Sequence, residues 1–304
     1  MNYDIAILPK QYDVWISYSW SETCSHGVSG HIYEIVDYYF ILKDELNIGI
    51  AFFDDMTVDV FRQCIIDKYD FTEDEIEHII SNTYFYNKPS KVYCKNILLV
   101  DGGTISIEKI IARNIIMFAC GDMRLQDHMD NRVTVLQDFR VYGSLCKNSI
   151  DYKKKILFDK LIPYDEESDA YLIYATKNCR YMEIADILDL KDKYGKDSKY
   201  ILISTEPEKY TDIQNVESVK PPVKELFNRF GTYVYTPVGK KMDCSPRFIA
   251  ECKYLGKNVE YYNIDYWDID RGLYWRVWDI NNDWNSIFLT KDDTILGILN
   301  EIIR

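Results

Sequence analysis

Arg247, Glu251 and Tyr254 recur at i, i+4 and i+7 in "DCSPRFIAECKYLGKNVEYYN", residues 243–263. That spacing puts the three on one face of a helix, with Phe248, Cys252 and Leu255 on another. Ser245 is a good N-cap, Pro246 suits the first helical position, and Gly256 suits the stop. Free N–H groups at such a helix start favour an anion, by about 0.3–1 kcal/mol per surface charge. Arg247 opposes the helix dipole there unless an anion accompanies it. Glu251 lies one turn further in, where a carboxylate can accept two hydrogen bonds from the vicinal hydroxyls of a ribose. Diphosphate at the helix start and ribose one turn in describe a bound nucleotide. The same residues also fit a simple Arg–Glu pair on a solvated helix. On the nucleotide reading, Glu251→Ala weakens binding and leaves the fold intact.

The elements around this helix are those of an α/β chain. "TYVYTPV" (232–238) before it and 258–263 after it read as strands, so the segment is a βαβ unit in a parallel sheet. In the first half, strands are expected at 13–20, 47–53, 96–103, 114–120 and 133–142, and helices at 32–43, 57–69 and 72–84. The polar, proline-containing stretch 160–170 interrupts the pattern. Alternation then restarts with strands at 171–176 and 199–205 and helices at 178–195 and 223–231, and a last helix closes the chain from 292. The expectation is two Rossmann-like domains facing across a cleft: residues 1–162 on the acceptor side and 163–304 on the nucleotide-sugar side, the last helix a candidate to pack back on the first domain. Binding is expected near the carboxyl ends of the strands.

Composition narrows the function classes. The chain has 304 residues, 47% hydrophobic, enough to bury a sizeable core. No apolar run reaches membrane-spanning length, and the opening residues lack a signal-peptide pattern. The eight cysteines form no CxxC pair and no zinc spacing, as expected of reduced thiols in a cytoplasmic protein, host cytoplasm if the source is viral. A net charge of −13 argues against wrapping nucleic acid with the whole surface. Lys153, Lys154 and Lys155, with Lys240 and Lys241, are the residues that could line a local basic strip.

The stretch 236–262, "TPVGKKMDCSPRFIAECKYLGKNVEYY", resembles the donor-binding segment of GT-B-fold glycosyltransferases. The resemblance is strongest over residues 165–265. It implies that the strand and loop from Thr236 hold the base, that the helix start at Ser245 and Arg247 holds the diphosphate, and that Glu251 holds the ribose, with Gly256 and Val259 completing the pattern. The family's second acid, which contacts the sugar, lies just before the helix; Asp243 is the nearest acid here. A basic residue after the first strand of the second domain implies diphosphate contacts for Lys177 and Arg180, which are otherwise ordinary cations of a strand–helix loop. The first-domain loop "SHGVSGH" implies a cleft lining in which Gly30 allows close approach. An inverting enzyme needs a base, for which His31 and Asp101 are candidates. A lone histidine is otherwise commonly structural, and Asp101-Gly-Gly is also ordinary turn chemistry. Asp54-Asp55 reads best as a turn.

The resemblance thus implies a metal-independent transferase with a nucleotide sugar as substrate and no resident cofactor. It extends to bacteriophage enzymes that glycosylate hydroxymethylated bases in DNA; a small-molecule or glycan acceptor is the other choice. Asp268 and Asp270 form a DxD of the kind that holds a metal in unrelated glycosyltransferases, and are read as part of an aromatic structural segment. The alternative function is a non-catalytic nucleotide-binding or interaction protein on the same scaffold. A nicotinamide oxidoreductase is disfavoured, because no glycine fingerprint follows either opening strand.

Overall fold

The structure, a computed structural model, describes residues 5–18, 30–100, 107–119, 130–137, 148–152, 154–163, 168–175, 182–220, 223, 225–236, 247–262 and 293–304. The protein is α/β. It divides into two compact units, Met1–Lys160 with Arg276–Arg304, and Leu161–Trp275.

The first unit is built on seven parallel strands: β2 (Val14–Ser17), β3 (Ile48–Phe52), β4 (Thr83–Phe85), β6 (Asn96–Leu99), β8 (Asn114–Phe118), β9 (Val133–Gln137) and β10 (Ser149–Asp151). Their spatial order is β10-β9-β8-β6-β2-β3-β4. The chain therefore runs outward from β2 to β4, returns to the other side of β2, and continues outward from β6. Strands β2, β3 and β6 are buried at every residue, as parallel strands covered on both faces must be. A small parallel sheet of β1 (Ile5–Ile7), β5 (Lys91–Tyr93) and β7 (Ile110–Ile111) contributes Ala6, Val92 and Ile110 to the core that holds Trp15, Ile97, Leu99 and Met117.

Helices α1 (Gly30–Leu42), α2 (Val58–Lys68) and α3 (Glu73–Ser81) supply further layers, α1 packing on β2 and β3. Thr57 caps α2 by accepting from Val60 N, and Thr72 with Glu75 closes a capping box on α3. The helix expected to reach residue 84 stops at Ser81. Asn82 caps it, and the β-favouring Thr83–Phe85 joins the sheet edge beside β3.

The second unit is a five-stranded parallel sheet of β11 (Tyr171–Tyr174), β12 (Tyr200–Ile203), β13 (Val216–Val219), β14 (Thr232–Tyr235) and β15 (Asn258–Tyr261), in the order β13-β12-β11-β14-β15. Helix α4 (Ile184–Tyr194) covers one face, burying Ile187 and Leu190 against Ile173, Leu202 and Val234. Helix α5 (Arg247–Tyr254) packs on β14 and β15. Gly256 ends α5 at φ 72°, where glycine carries no Cβ penalty. Lys257 N then bonds Cys252 O at 2.8 Å and Gly256 N bonds Lys253 O at 3.2 Å, the paired bonds of a Schellman stop.

The helix expected over 223–231 is only a 3-10 turn, Leu226–Asn228. Glu225 before it is left-handed (φ 51°), and a stretch confined between Pro222 and Gly231 is too short to offset helix nucleation. Helix α6 (Asp293–Ile303) belongs to the first unit, where Asn114 Nδ2 donates to Ile302 O at 3.0 Å.

Candidate functional site

Both large sheets share one topology: counted along the chain, the second unit's sheet runs third-second-first-fourth-fifth and the first unit's runs the same and continues to a sixth and seventh strand, the order of a doubly wound Rossmann-like sheet. In each, the winding direction reverses between the first and fourth strands. Two connections leave the carboxyl end of such a sheet in opposite directions there and open a crevice.

In the second unit the reversal lies between β11 and β14. Thr236 directly follows β14 and is buried; its hydroxyl donates to Tyr174 O, the last residue of β11, at 3.5 Å. Thr236 thus joins the two strand ends at the point of reversal. Lys177 and Arg180 come in the segment that follows β11. Asp243 and Ser245 come between β14 and α5. All four lie outside the described residues, as do Lys240, Lys241, Asp268 and Asp270.

Arg247 opens α5, and its Nε–H donates to Glu251 Oε1 at 2.5 Å. The i,i+4 pair is formed, but not on a solvated face: the two side chains are 8% and 0% exposed. A buried carboxylate paired in this way is held by its cation, and removing either partner takes a charge-assisted hydrogen bond from the other. This burial weighs against the sequence-based expectation that Glu251→Ala leaves the fold intact.

Phe248, beside Arg247, stacks on Phe227 with ring centroids 5.4 Å apart. It also meets Tyr174 and Tyr233 edge-on, at 5.1 and 4.9 Å. This aromatic cluster pins the start of α5 to the ends of β11 and β14. Sequence reasoning misses it, although Phe227, Phe230, Tyr233 and Tyr235 crowd nine positions.

In the first unit the reversal lies between β2 and β6, whose ends are joined by Val100 N bonding Ser17 O at 2.9 Å. Residues 19–29 connect β2 to α1, which begins with Gly30 and His31. Asp101 follows Val100 and lies outside the described residues. A Cβ added at Gly30 would meet none of the described residues within 4 Å, so their packing does not require a glycine here.

His31 Nδ1 lies 3.0 Å from Glu34 Oε2, and Lys154 Nζ lies 2.9 and 2.8 Å from the two oxygens of the same carboxylate. Burial works against the charge of Glu34. The adjacent Lys154 ammonium and the His31 imidazole outweigh it and hold the carboxyl at about 2, below its ordinary 4.5. Glu34 is a partner of the candidate His31 that sequence reasoning misses; the signal for it is its i,i+3 spacing from His31.

Two further expectations bear on this unit. Asp54 is a turn residue: it is buried, accepts from the Tyr18 hydroxyl and takes Met56 N at 3.0 Å. Lys154 does not line a surface strip, because its ammonium is turned inward onto Glu34; Lys155 N donates to the Tyr38 hydroxyl at 2.9 Å, and Lys153 lies outside the described residues.

Among the described residues, no group of three or more His, Cys, Asp or Glu could hold a metal ion. Nor is any helix among them long and apolar enough to cross a membrane. Neither a protein-family model nor a curated protein matches this sequence.

Proposed function

We propose that the protein is a GT-B-type glycosyltransferase built on its two Rossmann-like units. The supporting observation is the shared order of the two large sheets, both parallel and both reversing between their first and fourth strands. In each sheet the candidate residues fall on segments that follow those two strands: Gly30, His31 and Asp101 in one, Lys177, Arg180, Thr236, Asp243, Ser245 and Arg247 in the other. Reversal points are where doubly wound sheets take their ligands.

In this reading the second unit binds the nucleotide sugar and the first binds an acceptor hydroxyl. A base, His31 or Asp101, takes the hydroxyl proton. The oxygen forms a bond to the anomeric carbon, and the bond from that carbon to the diphosphate oxygen breaks, its electron pair leaving with the nucleoside diphosphate. Lys177, Arg180, Ser245 and the start of α5 at Arg247 stabilise that charge in place of a metal. The acceptor class follows from the resemblance: a hydroxymethylated base in DNA, or a small molecule or glycan.

A second reading, nucleotide binding or protein interaction without turnover, draws on the buried Arg247–Glu251 pair, in which each group already answers the other's charge. A panel of radiolabelled sugar nucleotides, offered with hydroxymethylated DNA and with simple glycan acceptors, separates the two. Transfer or donor hydrolysis supports the enzyme. Nucleotide binding with neither reaction supports the second reading.

A further inference from the structure

The carboxylate of Glu34 stands between an ammonium and an imidazole. Lys154 Nζ bonds both its oxygens, at 2.8 and 2.9 Å, and also lies 5.4 Å from the centroid of the Phe118 ring. His31 reaches one oxygen through Nδ1 at 3.0 Å. An ionised carboxylate can only accept, so the hydrogen bond requires the proton to be on Nδ1. An imidazole so held, if neutral, has its lone pair on Nε2. Free imidazole side chains favour the opposite tautomer, so Glu34 imposes a choice.

Around this cluster the described residues place a second buried carboxylate and several hydroxyls. One turn further along α1, Asp37 accepts from the Tyr69 hydroxyl at 2.9 Å, and Tyr38 shares a hydrogen bond with Tyr152 at 2.9 Å. From β8 comes the Phe118 ring, and from the segment after β10 come Tyr152 and Lys154. Lys154 thus meets both oxygens of Glu34, whereas the imidazole meets one.

We propose that Glu34 and Lys154 are positioning residues for His31: the carboxylate fixes the imidazole as its Nδ1–H tautomer with Nε2 as proton acceptor, and the ammonium balances the carboxylate so that the imidazole need not be protonated. That Nε2 then serves as the base for an acceptor hydroxyl rests on the glycosyl-transfer reading; the tautomer does not.

The experiment is nitrogen-15 NMR of the full chain labelled in its four histidines, with His31 assigned from His31→Gln. The expected result is an Nδ1–H, Nε2-unprotonated His31 in the neutral range. In Lys154→Met the titration midpoint of His31 shifts upward, because the imidazole is left as the cation beside Glu34. Because a single loss at a buried pair can unfold the protein, the tautomer is also read in Glu34→Leu/Lys154→Met, which removes both charges together. There His31 reverts to the Nε2–H form. An Nε2–H His31 in the wild type, retention of Nδ1–H in the double variant, or an unmoved midpoint in Lys154→Met overturns the proposal. Where transfer is detected, the double variant lowers kcat by about 10²-fold or more, the scale of general-base catalysis. A fixed tautomer in a protein without transfer supports the positioning roles and counts against the glycosyl-transfer reading instead.

Discussion

Arg247 and Glu251 form an ion pair one helical turn apart, joined at 2.5 Å, with the carboxylate wholly shielded from solvent. Breaking a buried ion pair from one side costs about 3–5 kcal/mol. Glu251→Ala is therefore expected to lower the unfolding free energy by about that amount in urea titrations. Arg247→Met/Glu251→Leu, which removes both charges, should recover most of it. Equal stability of Glu251→Ala and wild type would show that the pair does not bear on folding.

Glu34 sets an acid limit. Its carboxyl titrates at about 2 in the folded chain against an ordinary 4.5. The folded-state value is depressed, so the stabilisation is present above pH 4.5 and is lost as pH falls towards 2. The amount is on the order of 3 kcal/mol. Denaturant titrations at neutral pH and near pH 3 should show a steeper acid loss for the wild type than for Glu34→Gln. Parallel losses would mean that Glu34 is not held ionised by Lys154.

Two glycines separate packing from access. A Cβ on Gly231 would lie 2.0 Å from the backbone oxygen of Ser168, whereas one on Gly30 meets none of the described residues within 4 Å. Gly231→Ala is expected to destabilise by about 1–3 kcal/mol or more, through forced backbone movement. Gly30→Ala should stay within about 0.5 kcal/mol of wild type. Thermal and chemical unfolding check both. If Gly30→Ala nevertheless abolishes transfer, the space beside it is substrate space.

The thiols of buried Cys64 and half-buried Cys94 should be inert. Burial pushes Cys64 up to about 12, with Asp67 adding to the effect, and burial alone does the same for Cys94. Few thiolates then exist at pH 8 to react. Iodoacetamide followed by peptide mapping should leave both unmodified in the folded protein and modify both in denaturant. Rapid labelling of either in the folded state would contradict this burial.

Much of the scaffold is legible in the sequence because apolar runs such as Ile48–Phe52 and Asn96–Leu99 are buried on both faces and announce themselves. Local stop and start chemistry is equally plain at Thr72 and Gly256. The small sheet is not. Strands β1, β5 and β7 have two or three residues each, too few to show a period, and exist only through distant parallel pairing. Nor is the burial of Glu34, since an acid in a helix reads as solvent-facing until Lys154, 120 residues later, is brought beside it. The pairing of the candidate residues Arg247 and Glu251 is legible in their spacing; their seclusion depends on packing that spacing does not encode.

The central claim is a nucleoside diphosphate site at the carboxyl end of the second unit's sheet. Calorimetric titration with UDP, GDP, ADP and CDP, in EDTA and then with Mg²⁺ or Mn²⁺, tests it most directly. The account predicts that at least one binds in EDTA, and that Lys177→Ala and Arg180→Ala weaken it while the protein stays folded. Removing one charge-assisted hydrogen bond to the diphosphate should cost about 1.5–3 kcal/mol of affinity. No binding of any of the four, or binding that appears only with metal and ignores Lys177 and Arg180, would contradict it.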